Sequence, residues 1–155
     1  MQGSASVIAA LNEVFANLLS LEQQAHLQEH KFEDMDYSFS KWWDKVETGA
    51  HETCIHEVLK RINALGGDPM ARYAFPPPQA VKQVGKALSS IVEALEATLK
   101  AYNAACEVAE ADDDYVTELM IHEHLKWVQK RINKLEAKSD QLKKVGEQAF
   151  LAEYL

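Results

Sequence analysis

Apolar residues recur every three or four positions through most of the chain, the period of a helix with one buried face. Val7, Leu11, Val14, Leu18, Leu21 and Ala25 mark the first such stripe, and Trp43, Val46, Ala50, Cys54, Val58, Ile62 and Leu65 the second. Val84, Leu88, Ile91, Leu95, Thr98, Tyr102 and Ala105 carry the third. Ile121, Leu125, Val128, Ile132, Leu135 and Leu142 carry the fourth. The stripes predict helices over about 5–32, 40–65, 79–108 and 112–145, with a short amphipathic tail helix over about 147–154. Ser4 to Ser6 supplies an N-cap for the first helix and Ser40 one for the second. Gly66-Gly67-Asp68-Pro69 stops the second helix, and the acidic link from Glu110 to Asp114 caps the fourth, because carboxylates favour a helix N-terminus.

The stretch from Gly66 to about Gln79 carries Pro69 and the run Pro76-Pro77-Pro78, so it is not helical throughout. A connection that long is wasteful between antiparallel neighbours. It fits a crossover that spans the bundle and joins two parallel helices. The expected fold is therefore an all-α four-helix bundle with a long crossover between helices 2 and 3 and a short fifth helix.

Composition narrows the function classes. At 155 residues the chain is the size of one domain with a real core, and its 47% hydrophobic share is ordinary for a soluble protein. A net charge of −8 argues against a nucleic-acid groove or an anionic membrane surface as partner. Cys54 and Cys106 both fall in helical stripes with no CxxC, which fits a reducing cytoplasm better than a disulfide framework. The start has no basic region of the kind a signal peptide carries, and no apolar run is expected to reach the length of a membrane span.

The densest set of metal-capable side chains lies on the second helix: Glu47, His51, Glu52, Cys54, His56 and Glu57. On the first helix Glu22, His26, Glu29 and His30 are mostly explained by a solvated face, although Glu22 lies close to the apolar seam. Glu52 with His56, and Glu118 with His122, stand four residues apart, a spacing that shares one helix face. Such pairs are ordinarily surface pairs, and they are also able to hold a metal.

Several stretches resemble bacterioferritins and related bacterial ferritins: the start MQGSASVIAALN, the block KRINALGGDPM, the segment DYVTELM and the tail KKVGEQAFLAEYL. Together they cover essentially the whole chain. The resemblance implies a ferritin-like bundle that assembles, through dimers, into a hollow cage storing ferric mineral. It also implies a di-iron ferroxidase centre: a carboxylate from each of helices 1 and 3 and a Glu-x-x-His pair from each of helices 2 and 4.

Carried over residue by residue, those ligand places fall on Leu18, on His51 and Cys54, on or beside Leu95 (with Glu96 on another face), and on Val128 and Arg131. A shift of helix 2 brings Thr53 and His56 into place instead. A slide of helix 4 aligns His124-Leu125-Lys126-Trp127 with a His-x-x-Trp pattern of the family. Neither restores a glutamate three residues before the histidine. The family's haem methionine falls on Glu52, and Met35, Met70 and Met120 lie at other places, so no haem is expected.

Three readings follow. The first is an iron-storage cage subunit without the conventional centre, structural or mineral-nucleating, forming a homo-oligomer or joining an active ferritin-type subunit. In it Arg131 pairs with Glu47, Glu22 or both where metal charge would sit, and His51 joins by hydrogen bond. The alternative is Arg131 reaching out to solvent along its own stem. The second reading is a metalloprotein using an unconventional site of Glu22, Glu47, His51, Cys54 and His124. The third is a non-cage binding module.

Overall fold

A computed structural model describes residues 4–154, and of residues 44–51 it describes the backbone alone. Val46, Glu47, Ala50 and His51, all singled out by the sequence, therefore lie outside the described residues. Four long helices follow one another: α1 (Ala5–Asp34), α2 (Phe39–Ala64), α3 (Val84–Ala111) and α4 (Tyr115–Val145). A short α5 (Glu147–Ala152) closes the chain. The all-α bundle, its long crossover and its short fifth helix are as the hydrophobic pattern predicts.

Each helix end has a local cause. Ser4 is the N-cap of α1 and accepts from the Val7 amide at 3.1 Å; Asp114 does the same for α4, accepting from Thr117 N at 3.1 Å. Helix α2 starts at Phe39, with Ser38 rather than Ser40 before it and no side-chain cap. Three helices end alike, with one residue in the left-handed region: Asp36 at φ 59°, Gly66 at φ 82° and Asp113 at φ 55°. In each case the next amide reaches back to a carbonyl five residues earlier, as Gly67 N does to Ile62 O at 3.0 Å.

The crossover is laced along α1. Asn12 Nδ2 donates to the Asp68 carbonyl at 3.2 Å, and Met70 N donates back to Asn12 Oδ1 at 2.8 Å. Arg72 pairs with Glu13. Ser20 Oγ accepts from Ala74 N at 2.9 Å, and Gln28 clasps Val81 through both its amide atoms at 2.7 and 3.0 Å. From Asn12 to Gln28 the connection travels about 24 Å along α1, at 1.5 Å per residue. It leaves α2 beside the start of α1 and delivers α3 beside the end of α1. Helices α2 and α3 therefore run parallel, both antiparallel to α1. The same clasp corrects the expected third helix: it begins at Val84 and not near 79, because Gln28 holds Val81 in the extended strap.

The core is the four predicted stripes brought together. Every apolar residue assigned to the first and third stripes is buried, as are Trp43, Cys54, Val58, Ile62 and Leu65 of the second. Leu125 and Leu142 of the fourth are only partly covered. Helix α1 is long and apolar enough to cross a membrane by length and hydropathy, contrary to the expectation that no segment reaches that span. Its apolar face is occupied differently, with Val7, Leu11, Val14, Leu18 and Leu21 packed inside the bundle.

The tail docks on its own bundle. Phe150 is fully buried, with its ring 5.3 Å from that of Phe39, and Glu147 Oε1 accepts from Val84 N at 2.9 Å. That carboxylate sits at the N-terminus of α3, where a negative charge is favoured.

Candidate functional site at the bundle centre

The middle of a four-helix bundle receives side chains from every helix, and among the described residues several of them are apolar. Leu18 from α1, Leu95 from α3 and Val128 from α4 are each at 0% exposure. Into this surround α2, α3 and α4 place one polar chain of residues. His124, nearly fully buried, has its Nδ1 2.8 Å from the Tyr102 hydroxyl and its Nε2 2.6 Å from Glu57 Oε2. Cys54 lies within hydrogen-bonding reach of the same Tyr102 hydroxyl.

Donor and acceptor roles follow from what each group can do. The Glu57 carboxylate accepts, so Nε2 carries the ring proton and Nδ1 accepts from Tyr102. The contact between Cys54 and Tyr102 lowers the thiol and raises the phenol, so the hydroxyl keeps its proton between sulfur and imidazole. Burial pushes the Cys54 thiol up to about 11, and the nearby Glu57 charge adds to this, while Tyr102 and Arg131 oppose it. Burial, and then Cys54, hold the Tyr102 proton on well above the usual phenol range. Both groups stay protonated, so Cys54, Tyr102, His124 and Glu57 form one neutral-to-anionic polar line through the bundle. The outer end opens to solvent: the Glu57 side chain is 47% exposed and borders a shallow cleft of about 280 Å³ with Lys60, Arg61 and Met120.

Of the residues that the sequence singled out, Cys54 and His124 are brought into this one network. Glu22 sits apart, half-buried on α1. Desolvation raises its carboxyl, His26 lowers it, and the charge of Glu52 raises it again. Arg131 is partly buried, its guanidinium 5.3 Å from the centre of the Trp127 ring and its charge felt at Cys54. Its pairing with Glu47 falls on residues outside the description, as does the role given to His51. Glu52 and His56 are exposed. Sequence reasoning included Glu57 among the metal-capable residues of α2 and placed Tyr102 inward, but assigned neither to the site. Glu57 could have been found from its place one turn after Cys54 on α2, whereas no local spacing ties Tyr102 of α3 to either.

A pair of irons needs several anionic oxygen donors converging with imidazole. The bundle centre holds, among the described residues, Leu18, Leu95 and Val128, and His124 has its two ring nitrogens facing Tyr102 and Glu57. Among the described residues, three metal-capable donors converge elsewhere, at Cys106, Glu118 and His122.

The sequence model of the ferritin-like domain matches residues 8–145. No curated protein matches the chain.

Proposed function

Since the chain belongs to the ferritin-like family, we propose that it is a subunit of a bacterioferritin-like iron-storage cage in which the bundle centre holds shape rather than oxidising ferrous ion. The observation that carries this is the filling of the centre. Leu18, Leu95 and Val128 are sealed from water, and His124 is committed on both sides to Tyr102 and Glu57. Carboxylates clustered in a core without cations would repel one another and be costly to bury. Apolar replacements remove that repulsion, so the bundle stands without metal. We further assign Arg131, whose charge is felt at Cys54, to the internal charge balance where cations would otherwise be.

Iron is then cargo. The chain, at −8, attracts cations to its surface, and acidic side chains facing a cavity would seed mineral there. Oxidation falls to an active ferritin-type partner subunit in the same cage or to the mineral surface. A second reading has one specific support: Cys54 and His124, two members of the unconventional donor set, share Tyr102 and so couple α2 to α4.

One experiment separates these. The full chain is loaded aerobically with ferrous ion while ferric absorbance and bound iron are followed, and its native mass is measured. The expected result is a large assembly that oxidises iron no faster than buffer until mineral has formed. Rapid oxidation in proportion to chain, abolished by Cys54→Ser or His124→Ala, would establish the second reading. A native mass of a monomer or dimer would overturn the cage.

A further inference from the structure

A second cluster of metal-capable side chains lies at the seam of α3 and α4, independent of the bundle centre and of the function proposed for it. Cys106 stands near the end of α3, and Glu118 and His122 occupy successive turns near the start of α4. Spacing of four stacks the carboxylate and the imidazole on one face. The tight acidic turn at Asp112–Asp114 folds α4 back so that this face meets Cys106. Donor atoms of all three residues lie within 4.8 Å of one another, and His122 Nε2 is 3.8 Å from Glu118 Oε1. Cys106 and Glu118 are half-buried and His122 is exposed, so the cluster is a notch open to water on one side.

We propose that Cys106, Glu118 and His122 form a binding site for a zinc-class divalent cation, giving it one sulfur, one oxygen and one nitrogen and leaving the fourth position to water. This donor set suits zinc or cobalt(II); magnesium and calcium take oxygen alone. Bonds of about 2.0–2.3 Å around a tetrahedral ion set the donors roughly 3.5 Å apart. The notch has to close by about an ångström, which the exposed His122 ring can supply by rotation.

Two features around the notch favour a cation. The first is its charge: besides burial, Glu118, Glu110 and Glu107 press negative charge on the Cys106 thiol. A bound divalent ion reverses that field. The thiol proton leaves to solvent as the metal–sulfur bond forms, and no electron changes hands. The second is the scaffold. Arg61 Nη2 donates to Asp114 Oδ1 at 2.8 Å and Arg61 Nε to Thr117 Oγ1 at 2.8 Å, while Asp114 caps the first turn of α4. That turn, which carries Glu118, is held from α2 whether or not an ion is present.

Titrating the metal-free full chain with cobalt(II) alone tests the site. The expected result is a thiolate-to-cobalt charge-transfer band that saturates at one equivalent per chain and is displaced by zinc. Cys106→Ser should abolish the band, Cys54→Ser should retain it, and His122→Ala should weaken cobalt binding by at least about tenfold. Circular dichroism of each variant checks that the helices persist. Absence of the band in the unmodified chain overturns the site, as does a band that survives Cys106→Ser and vanishes in Cys54→Ser.

Discussion

A buried charge has to be answered within a few ångströms, and Asp114 shows how. Its side chain is 8% exposed and takes hydrogen bonds from Thr117, through both hydroxyl and amide, and from Arg61. Desolvation raises the carboxyl, but the two Thr117 bonds and the Arg61 guanidinium outweigh it and hold it below its ordinary 3.8. The unfolded chain then binds this proton more readily than the folded one, so stability rises with pH through this group. Its contribution is present above 3.8 and is lost as pH falls through the lower folded value. Asp114→Asn keeps a capping oxygen but loses the charge, and should cost about 2 kcal/mol near neutral pH. Urea midpoints at a series of pH values check this: the gap between variant and parent should close in acid. Glu22 works with the opposite sign. Its raised carboxyl favours the fold below 4.5, and that help is lost as pH rises through the folded value. Of these contacts the sequence disclosed the cap, since an acidic run before an apolar stripe is a local signal. The Arg61 partner is 53 residues away, and no local pattern carries it.

Between elements, what decides geometry is how closely two backbones can come. Gly67 follows the left-handed Gly66 at the end of α2, and a Cβ built on it would stand 2.6 Å from Ile8 Cγ2 and 3.0 Å from Ile8 Cδ1. Isoleucine branches at Cβ and is stiff at its first torsion, so the methyl cannot swing clear cheaply. Gly67→Ala should therefore destabilise by about 1–3 kcal/mol through overpacking. Trimming the neighbour in the pair Gly67→Ala with Ile8→Ala should recover part of that loss. Thermal unfolding of the parent, both singles and the double variant measures the coupling. The run Gly66-Gly67-Asp68-Pro69 announced that α2 stops here, because the turn chemistry is local. It did not announce that the second glycine is there for α1. The start of α3 was illegible for the same reason: Gln28 reaches across 53 residues to hold Val81 extended, and the sequence after Pro78 is helix-permissive on its own.

The whole molecule depends on where its last residues dock, and the two ways of docking differ in a measurable law. Phe150 lies among Phe39 and Tyr154, with ring centres 5.3 and 5.4 Å away, and Lys138 stands over the Trp42 and Tyr154 rings. Glu147 meanwhile occupies the N-terminus of α3. The tail is thus a clasp across the end where α1 turns into α2 and the crossover delivers α3. Sequence periodicity required that so short an amphipathic segment pack on something, and left open whether that was its own bundle or a neighbour's. Only the folded chain decides, because the aromatic residues at positions 39, 42 and 150 become one cluster in space alone. Phe150→Ala should cost about 3–5 kcal/mol, the range for removing a buried phenyl ring. If the clasp is internal, the loss is carried within each chain and the shift in unfolding midpoint is the same at every protein concentration. A tail docked on a neighbour would make that shift depend on concentration, since association then contributes to stability. Denaturation of parent and variant over a wide range of concentrations distinguishes the two, and a concentration-dependent difference would reassign the tail to the assembly.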